Sequence, residues 1–319
     1  MIKLLTRQVL RGGSISREEA AIVSAISHAD IFDLLAATNK IRAHFRGDTA
    51  GLCSIANAKS GACPEDCSFC AQSTKSKANI DVYPLLKKEA IIGKAVEAKN
   101  AGATRFSIVT SGRAVSHKDL TNIAAMIPAI REMDLLPCAS LGLVKEEDMS
   151  LLKKAGLDRY HHNLETSEHF FAQICNTHTY ADKIRTINAA KSVGLSVCSG
   201  GLFGMGESWE DRIDMAFALR ELDVDSVPIN FLIPIKGSAL DGRPPLHPYD
   251  ALKIIGLFRF ILAPKEIRIC GGRLQVLGEF NSLIFAAGAD GMITGNYLTT
   301  LGRSPADDLK LISRCGLRT

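Results

Sequence analysis

PLLKKEAIIGKAVEAKNAGATRFSIV, residues 84–109, joins a helix-like stretch directly to a β-rich run. The apolar side chains of its first part share one broad face: Leu85, Ala90, Ile91, Ala95 and Ala98. This spacing predicts an amphipathic helix, which Gly102 is expected to end. The second part, TRFSIV (104–109), has the composition of a β-strand. Helices that alternate with strands indicate a parallel α/β protein.

The same alternation continues along the chain after residue 50. The candidate strands are LCSIAN (52–57), TRFSIV (104–109), LPCASL (136–141), RYHHNL (159–164), LSVCSG (195–200), SVPINF (226–231), EIRICG (266–271) and DGMITG (290–295). Helix-like segments separate most of them. Eight strands with seven helical segments between them predict an α/β fold, a (β/α)8 TIM-type barrel with a packed interior.

Two of the helical segments have features of their own. SHKDLTNIAAMIPAIREM (116–133) starts with Ser116, which is expected to cap a helix, and Pro128 is expected to kink that helix. LKIIGLFRFILA (252–263) is the richest apolar stretch, but two cations interrupt it, so it predicts a buried helix and not a membrane span.

The chain is expected to form one domain over residues 1–319. Residues 1–50 predict a helical N-terminal extension, residues 51–299 the barrel, and residues 300–319 a short C-terminal extension. There are no internal repeats, linkers or low-complexity tracts that would divide it.

Composition limits the functional class. The chain has 319 residues, 46% of them hydrophobic and 23% charged, and a net charge of +4, so nothing indicates nucleic acid or a membrane as a partner. The N-terminal MIKLLTRQVLRGG does not match a secretory signal. Nine cysteines, an odd number, predict a reducing cytoplasmic location with metal-bound or free thiols.

The segment GACPEDCSFCAQS (61–73) holds three of these cysteines, Cys63, Cys67 and Cys70, as C-x3-C-x2-C. It follows the first predicted strand, at the end of the barrel where catalytic residues collect. Structural zinc sites and electron-transfer clusters normally use four protein ligands, whereas three thiolates suit a [4Fe–4S] cluster with one iron open to a small molecule. Phe69 would lie beside that iron. The alternative is a zinc knuckle completed by a distant Cys or His.

This cysteine loop resembles the signature of the radical S-adenosylmethionine (SAM) enzymes, in which the open iron is chelated by the amino acid end of SAM. Four further motifs extend the resemblance to the biotin synthase family: HHNLETS (161–167), SVCSGGLFGMGES (196–208), DSVPINFLIPIKGS (225–238) and RICGGR (268–273). The resemblance implies insertion of sulfur into dethiobiotin, with the sulfur given up by a second, deeper Fe–S cluster. It also implies a flavodoxin- or ferredoxin-type electron donor and a homodimer.

The resemblance also implies roles for single residues. Gly204, Gly206 and Glu207 resemble the glycine-rich segment beside SAM. Asn163 would contact the substrate, and Glu165 the SAM ribose, where the family more often has Asp. Asn230 would bind the ureido ring of dethiobiotin, since an amide can both donate and accept hydrogen bonds.

The second cluster is where the chain departs from the family. Many biotin synthases hold a [2Fe–2S] cluster with three cysteines and one arginine. Cys138, Cys198 and Arg268 match three of these ligands, but Ser107 stands at the position of the remaining cysteine. A serine oxygen is a much poorer iron ligand than a thiolate.

Two other cysteines offer a replacement. Cys270 lies two residues after Arg268, so both are expected on one face of a strand. Cys53 lies on the first predicted strand, which is expected to be next to the strand that carries Ser107. Cys53, Cys138, Cys198 and Cys270 would give four thiolates, which suits a four-iron cluster with Arg268 beside it. Two alternatives stay open: a [2Fe–2S] cluster with mixed Cys, Ser and Arg ligands, or Cys53 and Cys270 as small buried hydrophobic residues.

The remaining candidates receive structural interpretations. His161 and His162 are expected to be buried structural residues, because hydrogen transfer to a radical needs no general base. Cys175 and Cys315 are expected to be buried free thiols. Arg113, Trp209 and Lys236 are expected only to pack or to face solvent.

Two other functional classes compete with sulfur insertion. One is another radical SAM barrel enzyme, of the hydrogenase-cofactor maturase or amino-acid mutase type, and the other is a non-catalytic Fe–S or Zn protein. The VPIN segment together with Cys138 and Cys198 favours the biotin synthase family.

Overall fold

The computed structural model describes residues 1–319 and contains a closed, parallel β-barrel surrounded by helices. The strands are β1 Gly51–Lys59, β2 Arg105–Thr110, β3 Leu136–Ser140, β4 Arg159–His161, β5 Ser196–Cys198, β6 Gly201–Phe203, β7 Ser226–Phe231, β8 Glu266–Ile269 and β9 Gly291–Ile293. Neighbours pair in order from β1 to β5, β5 and β6 both pair with β7, and β9 closes the ring against β1. The predicted barrel is confirmed.

Fourteen α-helices and two short 3-10 helices accompany the strands. The α-helices are α1 Ile2–Leu10, α2 Arg17–Ser24, α3 Ile31–Arg46, α4 Lys88–Asn100, α5 His117–Ala124, α6 Ile127–Glu132, α7 Glu146–Lys154, α8 Glu168–Phe171, α9 Tyr180–Ser192, α10 Trp209–Glu221, α11 Pro248–Ile261, α12 Arg273–Leu277, α13 Ile284–Ala287 and α14 Pro305–Arg314. The 3-10 helices are His28–Asp30 and Gly278–Leu283.

One predicted strand is broken. The run 195–200 was expected to be continuous, but the chain forms β5, bends, and resumes as β6. A Cβ atom at Gly200 would lie 2.0 Å from the carbonyl oxygen of Pro228, and one at Gly201 would lie 2.4 Å from that of Glu165. Because Gly200 and Gly201 have no side chains, the backbone can approach the neighbouring Pro228 and Glu165 carbonyls closely at this point.

The predicted helix limits are largely confirmed. Helix α4 ends just before Gly102, whose φ of +78° is the left-handed conformation that favours glycine. The Ser116 hydroxyl accepts a 3.1 Å hydrogen bond from the N–H of Asp119 at the start of α5. Pro128 does more than kink the segment: it lies in the first turn of a separate helix, α6.

Helices α1 to α3 lie outside the barrel: α3 packs against α11 and α13, α2 against α10 and α11, and α1 against α3. Helix α11 is buried along most of its length, as predicted. Its Arg259 is fully buried and pairs with Asp290, so a cation is tolerated inside the apolar layer. No single helix is long and apolar enough to cross a membrane; α2 with the stretch His28–Arg46 reaches that length and composition only as a pair bent by 93°.

The C-terminal helix α14 is tied to the barrel by a buried ion pair. Arg273, which follows β8, donates from Nη2 to both carboxylate oxygens of Asp308 at 2.7 Å. Both side chains have an exposed fraction of 0%. Breaking a fully buried pair by removing one partner is costly, because the other charge is left without compensation.

We expect Asp308→Ala to lower the free energy of unfolding by about 3–5 kcal/mol, since Arg273 would stay buried and unpaired. Urea denaturation followed by circular dichroism measures this. Lys310→Ala, at an exposed position of the same helix, is the matched control and should change stability by no more than about 0.5 kcal/mol. A loss below about 1 kcal/mol in Asp308→Ala would contradict the anchoring role of the pair.

Candidate active site

Two adjoining cavities lie in and above the barrel. The larger, of about 430 Å³, extends into the barrel interior, and the smaller, of about 180 Å³, lies beside the three-cysteine loop. Five residues line both: Phe69, Cys70, Gln72, Thr110 and Glu165. The alternation of side chains along each strand decides which residues reach the interior.

The smaller cavity collects all three cysteines of the loop, Cys63, Cys67 and Cys70. The loop is closed by backbone hydrogen bonds from Cys63 N–H to the Gln72 carbonyl at 3.1 Å and from Thr74 N–H to the Cys63 carbonyl at 2.8 Å. The three sulfurs do not all lie within 4.8 Å of one another. Around one tetrahedral zinc ion, thiolate sulfurs would be about 3.8 Å apart. The spacing thus disfavours the zinc knuckle and leaves room for a larger group such as a [4Fe–4S] cluster.

A buried polar atom in the same cavity supports that fit. His162 lines the cavity, and its Nε2 has no hydrogen-bond partner although it is fully enclosed. Burial lowers the pKa of His162 well below its usual value, so the ring is neutral. Buried polar groups are rarely left unpaired, and the inorganic and thiolate sulfurs of a cluster are acceptors for such a ring N–H. The buried position expected for His162 is confirmed.

Asn163 and Glu165 follow β4 and both line the larger cavity, so the shared face predicted for them is confirmed. The Asn163 carbonyl oxygen accepts from Gly200 N–H at 3.2 Å, and its amide donates to Glu165 Oε2 at 3.3 Å. Glu165 has a φ of +76°, which is strained for a residue with a side chain. Its backbone is held there by Gly200 and by Leu202, whose N–H donates to the Glu165 carbonyl at 2.9 Å.

His161 lies two residues before Asn163 and also lines the larger cavity. Burial lowers its pKa to about 4, so the ring is neutral at physiological pH. It has no hydrogen-bond partner within the protein. Its position in the wall of the cavity is more specific than the structural burial expected for it.

Gly204, Gly206 and Glu207 form the turn after β6, and both glycines have left-handed φ values, +98° and +113°. The Glu207 carboxylate accepts from the N–H groups of Gly204 and Met205, at 3.0 and 2.8 Å, and from Arg212 Nε at 2.9 Å. It is buried, and neither it nor the glycines line either cavity. In this structure the carboxylate shapes the turn, and contact with a cofactor stays a prediction.

Asn230, on β7, lines the larger cavity. Its carbonyl oxygen accepts from Gly271 N–H at 2.9 Å, and its amide nitrogen donates to the Gly201 carbonyl at 3.2 Å. An amide has two lone pairs and two N–H groups, so one acceptor and one donor position remain for a ligand.

Four further thiols surround the interior of the larger cavity: Cys53 on β1, Cys138 on β3, Cys198 on β5 and Cys270 just after β8. Ser107 on β2 faces the same space. The expected shared face of Arg268 and Cys270 is confirmed, since both line this cavity. No three of the four sulfurs lie within 4.8 Å of one another, which again suits a cluster of several irons better than a single ion.

A buried charge network forms the floor below these thiols. Glu266 Oε2 accepts from Arg159 Nη1 at 2.7 Å, and Glu266 Oε1 accepts from Arg268 Nη2 at 2.5 Å. Arg268 Nη1 also donates to the carbonyl of Gly51 at 3.3 Å, so its guanidinium is directed at the first residues of β1 and β8. On the other side Arg105 pairs with Asp158 and lies 3.8 Å from Cys138 Sγ.

The guanidinium groups of this network offset part of the free-energy cost of ionising the buried thiols. Burial raises the pKa of Cys138 to about 12, while the guanidinium groups of Arg105 and Arg159 act in the opposite direction. Burial likewise raises the pKa values of Cys53, Cys198 and Cys270. Thiolates are the form that binds metal, so cations beneath them favour the ligating state.

Sequence reasoning missed a contact to the cysteine loop. Cys175 Sγ lies 3.8 Å from Cys67 Sγ, and the intervening chain of more than a hundred residues contains no spacing signal that could have revealed it. Arg113 also has a role: it donates to the Thr177 carbonyl at 2.6 Å and to Glu65 Oε1 at 3.4 Å, and so ties the loop to this segment. The expectation that Arg113 only packs or faces solvent was wrong.

Comparisons with known proteins identify the family of the chain. Residues 58–219 match the radical SAM superfamily, and residues 228–318 match the biotin and thiamin synthesis associated domain. The chain is 53% identical to the biotin synthase of Thermodesulfovibrio yellowstonii over 295 residues, 92% of this chain and 93% of that protein. It is 46% identical to the biotin synthase of Citrifermentans bemidjiense over 320 residues, 100% of this chain and 98% of that protein.

Solved structures show the same fold at low sequence identity. Methylornithine synthase superposes with a TM-score of 0.86 at 21% identity, covering 98% of this chain and 96% of that one. The hydrogenase maturase HydG from Carboxydothermus hydrogenoformans superposes with a TM-score of 0.84 at 18% identity, covering 99% of this chain and 78% of that one. At such identities the likeness shows the barrel fold alone, so it does not support the maturase or mutase alternative.

Proposed function

This chain belongs to the biotin synthase family, and from that membership we propose that it inserts sulfur into dethiobiotin to form biotin in a radical SAM reaction. The observation that supports this best is the pair of thiol sets in one barrel: three cysteines beside the smaller cavity and four in the wall of the larger one. One set suits the cluster that binds SAM, and the other suits a sulfur donor.

Cys63, Cys67 and Cys70 would hold the [4Fe–4S] cluster, with Phe69 and Glu165 next to SAM at the boundary of the two cavities. When bound, these cofactors supply a 5′-deoxyadenosyl radical and the auxiliary cluster supplies sulfide. The turn formed by Gly204, Gly206 and Glu207 would contribute through its shape, because the Glu207 carboxylate already accepts hydrogen bonds from backbone N–H groups of that turn.

The protein's own part is to hold the substrate close and to exclude water. Asn163 and Asn230 each keep hydrogen-bonding capacity on the cavity side, which suits a cyclic urea. His161, neutral and without a protein partner, completes the polar wall between them and the deeper thiols. A radical reacts with most C–H bonds, so the geometry must bring the target carbon near before the radical forms.

For the auxiliary cluster we propose four thiolate ligands: Cys53, Cys138, Cys198 and Cys270. Arg268 would be a neighbouring charge and not a ligand, since its guanidinium is already bonded to Glu266 and to the Gly51 carbonyl. A four-iron cluster is favoured over a [2Fe–2S] cluster with Ser107 and Arg268, because a serine oxygen is a poor ligand for iron.

Several wider features stay proposals. One domain over residues 1–319 rests on the continuous alternation of strands and helices without linkers or repeats, and a homodimer and a flavodoxin- or ferredoxin-type electron donor rest on the family resemblance. A cytoplasmic location is supported by nine cysteines that are all free of disulfides. Reduced thiols persist in that compartment and are needed for both clusters.

Replacing Cys63, Cys67 or Cys70 with alanine should abolish reductive SAM cleavage, because each removes a ligand of the same cluster. The measurement is 5′-deoxyadenosine formed by the reconstituted protein with dithionite, together with iron content. Cys315→Ala, a cysteine outside both cavities, is the control and should retain both. Production of 5′-deoxyadenosine by a triple variant of the loop would exclude the assignment.

Asn230→Ala should weaken dethiobiotin binding roughly tenfold or more, since losing one partner of a buried hydrogen bond costs about 1–3 kcal/mol. Calorimetric titration with dethiobiotin in the presence of SAM measures the affinity, and uncoupled SAM cleavage should persist. Asn122→Ala, on the exposed face of α5, is the control. If neither Asn230→Ala nor Asn163→Ala changes the affinity, the two amides do not bind the substrate.

Cys270→Ser should abolish biotin formation while the SAM cluster stays intact, because the two thiol sets belong to separate parts of the chain. Iron analysis of the reconstituted protein should give about eight irons per chain, falling by about four in the variant. Ser107→Ala is the matched control, and under the four-thiolate proposal it should leave the iron content unchanged. About six irons per chain, with loss of two in Ser107→Ala, would instead support the [2Fe–2S] alternative.

A further inference from the structure

We propose that Cys67, Cys175 and His178 form a binding site for one divalent transition-metal ion, of which Zn²⁺ is the best-suited example, when the neighbouring cluster is absent. The proposal rests on the assignment of Cys67 to the SAM cluster, because that assignment makes the two occupants compete. An ion at this site and the [4Fe–4S] cluster would exclude each other through one shared thiolate.

The three ligand atoms have the spacing of a tetrahedral site. One atom from each residue lies within 4.8 Å of the other two, with Cys67 Sγ and Cys175 Sγ 3.8 Å apart and Cys175 Sγ and His178 Nδ1 3.2 Å apart. With Zn–S near 2.3 Å and Zn–N near 2.0 Å, tetrahedral geometry places such pairs about 3.5–3.8 Å apart. No other group of three potential ligands in the protein is this close together.

His178 would bind the ion through Nδ1, the ring nitrogen nearer to the thiol. Cys175 Sγ lies 3.2 Å from Nδ1 and 3.8 Å from Nε2. Nδ1 also contacts the Glu65 carboxylate, and Glu65 Oε2 accepts from the Thr177 hydroxyl at 2.7 Å. These contacts fix the ring beside the sulfur, and a bound ion would replace the proton that lies between His178 and Glu65.

The backbone holds the two contributing segments in register. Ser68 N–H donates to the Ile174 carbonyl at 2.9 Å, directly beside the two cysteines. Asp66 Oδ1 accepts from the N–H groups of Asn176 at 2.9 Å and Thr177 at 3.2 Å. The site is therefore preformed, and little chain entropy would be lost when an ion binds.

The smaller cavity gives an ion access. Cys67 and His178 line that cavity, whereas Cys175 is buried behind them. An ion would thus enter through the space that the cluster occupies in the active enzyme. Cys175 is buried, and its sulfur contacts Cys67, His178 and Asp66, so this thiol has polar neighbours besides the apolar core.

The test uses the full chain, freed of iron by a chelator under anaerobic reducing conditions, with its fold checked by circular dichroism. Co²⁺ is titrated and its thiolate absorption followed, and Zn²⁺ is then added in competition. Cys175→Ala should lower the affinity for one ion per chain by more than about 100-fold, since even loss of an outer partner of a ligand costs about 10- to 100-fold. His178→Gln, which keeps a polar side chain beside Glu65, should act in the same direction.

Cys70→Ala is the matched control: it removes a ligand of the SAM cluster but not of the proposed ion site, so it should retain the ion. Zn²⁺ added first should also slow cluster reconstitution, followed by its absorption, in the wild type and not in Cys175→Ala. Loss of the ion in Cys70→Ala with retention in Cys175→Ala would overturn the proposal, since the three-cysteine loop would then be the site. Ion binding does not depend on SAM cleavage, so a chain that binds Zn²⁺ but forms no 5′-deoxyadenosine would refute the proposed function alone.

Discussion

The buried ion network at the floor of the barrel is the constraint on which the interior depends. Glu266 bridges Arg159 and Arg268, and Arg268 reaches across to the first carbonyl of β1 at Gly51. A Cβ atom at Gly51 would lie 2.8 Å from the Arg268 guanidinium, so the glycine makes room for it. With Arg105 nearby, the floor has more cations than anions. Such an excess is costly in an apolar interior unless negative charge lies above it, and ionised thiols supply that charge.

The two thiol sets differ in how far apart their cysteines lie along the chain, and this difference decides how well the sequence predicts each set. The loop cysteines lie within eight residues, so their spacing alone indicates the ligand set. Three of the barrel cysteines lie on distant strands and Cys270 lies just after a fourth, and they could be placed together only because side chains alternate with period two along each strand. Cys270 was predicted to face inward from its distance to Arg268, and the structure confirms it. The eight strands followed from their β-rich composition and from their alternation with helix-like segments.

What the sequence did not predict depends on contacts between distant segments. The break between β5 and β6 requires the carbonyl oxygens of Pro228 and Glu165 to approach Gly200 and Gly201, which no local pattern encodes. The carboxylate of Glu207 folds back onto its own turn, although acid residues in such motifs commonly face a ligand. These are tertiary effects of one or two ångströms, and hydrophobic periodicity is insensitive to them.

The residues between the loop cysteines dock the loop onto the neighbouring structure. Glu65 holds His178, Asp66 accepts from the backbone of the 176–177 segment, and Phe69 forms the wall between the two cavities. Every spacer with a long side chain is thus used to dock the loop onto neighbouring structure. Because the loop is already docked, little conformational entropy is lost when its thiols bind a cluster. A flexible loop would have to be ordered first and would bind the cluster more weakly. The same docking brings Cys175 against Cys67, so the contacts that hold the loop for the cluster also create the second, competing set of ligands.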